Sequence, residues 1–271
     1  WSLQFYLSLA GIILLATVVR FYQLGTVPHG LTWDEAAIGY NGHAILTTRR
    51  DEWIVRLPVS FRSFGDYKAP LAIYLNGPFT FLFGLTPFGV RLPFAIAGVL
   101  AVVGWVLLQN DLRLFRKHSV ELALASGFIL ALNLWHIHYS RIAFESGLSL
   151  SFAVWGWWLL VKVFRSKSIY HSLAISLGSA VLLTASLYTY HSAKIVVPMM
   201  SLVLLFFVTK PSKKSLLQLA PVGAFSLLLL IPLIRDSLFG PGATRAGVLL
   251  FNQGLVPLEL LRAILTNIIA Q

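Results

Sequence analysis

The chain has 271 residues, 57% of them hydrophobic and 11% charged, with a net charge of +11 and no cysteine. A soluble domain carries about 25% charged residues, so the composition argues against a soluble enzyme, a disordered protein and a disulfide scaffold, and the missing thiols remove thiol catalysis and thiolate metal sites. The positive charge lies in short loops between apolar runs rather than on one polar face, which argues against a nucleic-acid partner and for the lipid bilayer.

The class that remains is an all-α polytopic membrane protein. A spanning helix needs about 20 mostly apolar residues. Residues 3–24, 92–108, 122–139, 147–163, 173–190, 193–208 and 216–234 meet that need, so seven spans are expected. An eighth apolar stretch, 70–85, is short and contains Asn76, Gly77 and Pro78. It is read as a helix lying in the membrane interface. The chain begins at Trp1 and stops at Gln271 within an apolar stretch. The expectation is therefore that residues 1–271 form the N-terminal part of one transmembrane module whose C-terminal remainder is absent.

Loop charges orient the spans. Lys and Arg concentrate in cytoplasmic loops, and three connections are basic: Arg113/Arg116/Lys117, Lys162/Arg165/Lys167 and Lys210/Lys213/Lys214. With these inside, the N-terminus is cytoplasmic and the long connection 25–91 is outside. Eight of the ten acidic residues then lie at the outer face: Asp34, Glu35, Asp51, Glu52, Asp66, Glu145, Asp236 and Glu259.

The first outer loop carries most of the ionisable chemistry. Thr32 and Glu35 fit a capping box that starts a short helix. Asp34 and Glu35 would favour its positive end. They also follow directly on a span, beside Trp33, where partial desolvation raises a carboxylate toward the range of a general base. Further on, Arg62 and Lys68 could bind phosphate at the membrane surface, against the plainer reading of Trp, Tyr, Lys and Arg as interfacial anchors. Asp66 fits that plainer reading less well.

In the second outer loop Arg141 and Glu145 stand at i,i+4. If helical they share a face, either as one ion pair or as an anion-holding arginine beside an acid of the same pocket. His136 and His138, at i,i+2, fall on opposite sides of a helix and do not suggest a shared metal site. The third outer loop runs Tyr188-Thr189-Tyr190-His191-Ser192-Ala193-Lys194. It reads as an aromatic belt with a snorkelling lysine or as a polar wall of the same cavity.

These blocks together resemble one family. Thr32-Trp33-Asp34-Glu35 resembles the acidic motif of the protein O-mannosyltransferase-like glycosyltransferases, which have the GT-C fold. Asp66-Tyr67-Lys68-Ala69-Pro70-Leu71 is similar to their K-P-P-L segment, with Ala69 in place of the first proline. Gly89-Val90-Arg91-Leu92-Pro93 resembles their R-L-P segment, and Ser140-Arg141-Ile142-Ala143-Phe144-Glu145 their S-R-x-x-x-D/E motif. The stretch Tyr188 to Lys194 is similar to a segment of many bacterial and archaeal members.

The resemblance implies a GT-C-like transmembrane bundle with interfacial helices in the first outer loop. It implies transfer of a sugar, with inversion, from a polyprenyl-phosphate-linked donor to a protein, lipid or glycan acceptor at the extracytoplasmic face of a prokaryotic plasma membrane. Asp34 would be the base, with Glu35 supporting it or orienting the sugar and Glu145 completing the site. Lys68 and Arg141 would hold the leaving phosphate, Asp66 sugar or acceptor, and Tyr190 and His191 would line the substrate site. No cofactor is certain; some relatives use a divalent metal, and Asp34 and Glu145 would hold it here. Two other readings stand beside this one: a transporter or flippase of lipid-linked sugars, and a non-catalytic membrane subunit.

Overall fold

A computed structural model describes residues 3–113, 118–166, 168–208 and 213–241. The first helix is α1 (Leu3–Phe21). The long connection 25–86 then carries α2 (Trp33–Thr48), an antiparallel hairpin of β1 (Phe61–Ser63) and β2 (Asp66–Lys68), and α3 (Pro70–Phe83). After it come α4 (Pro87–Leu112), α5 (Ser119–Leu132), α6 (Leu134–Arg141), α7 (Glu145–Arg165), α8 (Ile169–Thr189), α9 (Ala193–Val208) and α10 (Lys213–Phe239). Residue Glu259, placed outside by its position in the sequence, lies beyond the described residues.

Among the described residues, five helices are long and apolar enough to cross a bilayer: α1, α4, α7, and the Tyr170–Thr189 and Leu217–Phe239 parts of α8 and α10. The protein is a multi-pass membrane protein. The expected count of seven is reached only if two further stretches are taken as crossings. One is α9, whose 16 residues rise about 24 Å at 1.5 Å each, against a hydrocarbon core of about 30 Å. The other is the expected span 122–139, which is broken into α5 and α6 with a bend of 57°. Helix α3, with 14 residues, rises only about 21 Å.

The break between α5 and α6 has a local cause and a tertiary one. Asn133 ends α5 and caps α6, its side chain accepting the His136 N–H at 2.9 Å. The carbonyls left open at the end of α5 go to Arg20 of α1, which donates to Ala131 O at 3.1 Å and Leu130 O at 3.4 Å. Arg20 also donates to His136 Nδ1 at 2.7 Å. In return Arg141, the last residue of α6, donates to Val19 O and Arg20 O at the end of α1, at 3.0 and 3.3 Å. Arg20 thus satisfies orphan carbonyls at the end of α5, and Arg141 those at the end of α1.

The long connection between α1 and α4 is packed, not draped. Helices α2 and α3 meet backbone to backbone at Gly42 and Gly77, where a Cβ on Gly77 would stand 2.6 Å from Gly42 O. Beneath them Ile38, Ile45, Phe61, Ile73, Val90, Phe94 and Leu148 form a buried cluster that joins the loop to α4 and α7. Asn76, buried in α3, donates to Val90 O at 2.7 Å.

Helix α4 separates two charged ends. Its 26 residues are about 39 Å long, with Arg91 near the start and Asp111 near the finish. Asp111 is buried and paired with Lys162 at 2.9 Å and Arg165 at 3.3 Å. At the opposite end Asp236 of α10 accepts a hydrogen bond from Ser60 of the first loop. Pro232 interrupts α10, and there the Tyr188 hydroxyl enters the helix ladder: it donates to Leu229 O at 2.9 Å and accepts the Leu233 N–H at 3.1 Å. The three loops read as outer from the charge pattern therefore gather at one end of the bundle.

Candidate active site

The capping box predicted at Thr32 is present: the Thr32 hydroxyl accepts the Glu35 N–H at 3.3 Å, and the Glu35 carboxylate accepts the Thr32 N–H at 2.9 Å. Consecutive residues on a helix point about 100° apart. Here that rotation sends Glu35 into the core and Asp34 toward the opening, where its side chain is 41% exposed.

Glu35 is the inner member. Its carboxylate pairs with Arg91 of α4, at 2.6 Å to Nε and 3.2 Å to Nη2, and accepts the Ala143 N–H at 3.2 Å. Arg91 is wholly buried and also donates to the carbonyls of Leu24, Pro28 and Gly30. Burial pushes the Glu35 carboxyl upward, but the Arg91 guanidinium and the two backbone N–H groups outweigh it and hold the carboxyl below the ordinary glutamate range. Sequence reasoning gave Arg91 no role. Its only signal was its place in the R-L-P segment, 56 residues from its partner.

Asp34, Lys68 and Glu145 come together. The Lys68 ammonium, at the end of β2, donates to Asp34 and lies 3.4 Å from Glu145 Oε1. The lysine side chain is 13% exposed and that of Glu145 8%. Desolvation favours the neutral amine, yet the Glu145 and Asp34 carboxylates prevail and hold the Lys68 pKa above the ordinary lysine value. Three stretches of chain thus place two acids around one cation, with Asp34 the open edge.

The remaining expected site residues divide. His191 Nε2 donates to Tyr67 O at 2.9 Å, tying the loop between α8 and α9 to the strand that carries Lys68. The Tyr190 ring lies 6.2 Å from that of Phe144, the residue before Glu145. Asp66 is exposed at the hairpin turn and accepts the Tyr67 N–H at 2.7 Å. Arg141 differs most from expectation. The helix breaks after it and restarts at Glu145, so the two do not share a helical face. Its guanidinium is buried against carbonyls, those at the end of α1 and Val27 O at 2.8 Å, because helix termini inside a bundle must find donors.

The cluster does not fit a divalent metal. The Lys68 ammonium fills the space between Asp34 and Glu145, and no group of three His, Cys, Asp or Glu side chains suited to a metal occurs among the described residues. The cation of this site is Lys68 itself.

No family model matches the chain, and neither does any curated protein. Among solved structures, the apo crystal structure of the Archaeoglobus fulgidus oligosaccharyltransferase aligns over 84% of this chain with a TM-score of 0.64 and 16% identity. The fold is GT-C-like. This chain spans 29% of that longer one.

Proposed function

We propose that this chain is part of a membrane glycosyltransferase of GT-C type that moves a sugar from a polyprenyl-phosphate carrier to an acceptor hydroxyl, with inversion, at the extracytoplasmic face. The observation that carries the reading is the Lys68 ammonium held between Asp34 and Glu145 at the end of the bundle where three outer loops meet. An oligosaccharyltransferase neighbour in fold supports it.

The chemistry follows from the three side chains. Asp34, the open carboxylate, accepts the proton of the acceptor hydroxyl as its oxygen bonds to the sugar's anomeric carbon. The carbon–oxygen bond to the carrier breaks, and its electron pair leaves with the prenyl phosphate. A lysine ammonium has three N–H donors. Two face Asp34 and Glu145, and the third is available to the phosphate as its charge grows. Glu145, mostly buried, keeps the ammonium charged and aimed. Glu35 and Arg141, both turned inward, are positioning residues in this reading. The bound sugar would meet Tyr190, His191 and Asp66 on the loops around this centre.

The test is mass-spectrometric detection of transfer from polyprenyl-phosphate sugars by full-length protein. Asp34→Asn is expected to lower turnover by about 10²–10⁴-fold while leaving the folded amount unchanged. Full activity in that variant rejects Asp34 as the base. Substrate-dependent flux in proteoliposomes with no covalent product would replace the transferase by a transporter.

A further inference from the structure

Beside the charged cluster lies a cavity that the proposed chemistry does not use. Its volume is about 470 Å³, and its walls come from the loop after α2, the β-hairpin and the outer end of α10. Small-molecule sites occupy about 300–1,000 Å³. Asp51, Trp53, Ser60, Arg62, Tyr67 and Asp236 supply its polar and aromatic lining, with valine and proline side chains between them. Tyr67 directly precedes Lys68 in β2. Successive strand residues face opposite sides, so the cavity and the charged cluster occupy the two faces of one strand.

The lining selects a ligand class by elimination. Two carboxylates disfavour phosphate and other anions. The Arg62 guanidinium, 4.3 Å over the Trp53 ring, disfavours a cation in the same space. What the cavity offers is acceptors and flat apolar faces. Asp236 uses one oxygen to accept from Ser60, and Asp51 Oδ1 accepts the N–H groups of Trp53 and Val55 at 2.9 and 2.8 Å. The second oxygen of each carboxylate remains for a ligand's hydroxyl groups. Trp53 is fixed before any ligand arrives, by the guanidinium above its ring and by its indole N–H donating to Arg62 O at 3.1 Å. Such a preset ring loses little entropy when a ligand packs on it.

We infer that this cavity binds a neutral sugar ring, its hydroxyls on Asp51 and Asp236 and its C–H face on Trp53 and Tyr67. Sugar binding here is a property separate from transfer. The transferase reading enters only in asking which substrate delivers the ring, the carrier-linked donor or a glycan acceptor.

Saturation-transfer NMR on the detergent-solubilised full chain tests the site, with maltotriose as probe and sorbitol as an acyclic control. Saturation of the trisaccharide's ring protons, absent for sorbitol, is expected. Trp53→Ala and Asp236→Asn should each weaken it by about threefold to tenfold, the scale of one aromatic or hydrogen-bonding contact. The paired variants guard against a loss caused by misfolding, since Asp236→Asn keeps the shape and the Ser60 contact. Tyr170→Ala, an exposed residue at the start of α8 that belongs to neither site, should leave the signal intact whether or not the protein transfers sugar. Equal saturation in wild type, Trp53→Ala and Asp236→Asn, or equal saturation of sorbitol, overturns the proposal. Displacement of maltotriose by farnesyl-phosphate glucose assigns the site to the donor; displacement by methyl glucoside but not by the prenyl-linked sugar assigns it to the acceptor.

Discussion

Asp34 and Glu35 are neighbours in sequence and opposites in structure. Glu35 is buried against Arg91, with its remaining contacts on backbone N–H groups. Asp34 meets Lys68 at the rim, with a large part of its side chain open to solvent. The difference teaches how one helix start can serve two ends. The buried pair fixes where α2 sits, and that placement delivers the exposed carboxylate to its cation. A fully desolvated pair is expensive to break, because the surviving charge is stranded; a half-open one can exchange partners with an incoming ligand.

The largest effect should come from the buried pair. Arg91→Ala strands Glu35 and removes the donors to Leu24, Pro28 and Gly30, and should cost about 3–5 kcal/mol of stability. Denaturation in detergent checks this, and a loss well under that range would mean the loop is held some other way. Asp34→Asn, by contrast, should act on turnover far more than on folding, since its partner contact is solvent-screened.

A pH series separates the two groups by sign. Glu35 is held below its ordinary value, so its contribution is present above about pH 4.3 and is lost as pH falls through the depressed value. Lys68 is held above its ordinary value, so its contribution is full below about pH 10.4 and is lost as pH rises through the raised value. Melting temperature against pH should therefore fall on the acid side through Glu35 and on the alkaline side through Lys68. Glu35→Gln should flatten the first limb and Lys68→Met the second; a limb unchanged in its variant refutes that assignment.

The smallest perturbation tests sidedness. The chain has no cysteine, so Phe64→Cys, at the exposed hairpin tip, gives one thiol at little cost to folding. A membrane-impermeant maleimide added to intact cells should label it. Protection until the cells are opened would place both acids on the cytoplasmic side and end the proposed topology.

Much of the rim was legible in the sequence, and little of what supports it. The Thr32–Glu35 box was readable because both partners lie within one turn. Asp34, Lys68 and Glu145 could be named because acids and a cation flanking apolar runs are conspicuous. Their meeting, however, is set by how three outer segments fold together. Glu35 was expected to support Asp34 or to orient the sugar, and its inward turn onto Arg91 was not readable, because sequence gives residue type and not direction. Arg141 was expected at a phosphate, yet it serves helix ends that exist only once α1 and α6 pack. The break at Asn133 is hidden by reading residues 122–139 as one run, although His136 and His138 already make the stretch beyond it more polar. Asp236 and Ser60, 176 residues apart, carry no local sign of belonging to one cavity.

The exchange of arginines between α1 and α6 bears on biogenesis. Arg20 finds its carbonyl acceptors 110 and 111 residues further on. At a synthesis rate of about 5–20 residues per second, the ribosome needs roughly 6 to 22 s to make them. During that interval the guanidinium, in the last turn of the first helix, is within snorkelling reach of the lipid headgroups, and it gains its protein acceptors only after α5 and α6 have been made.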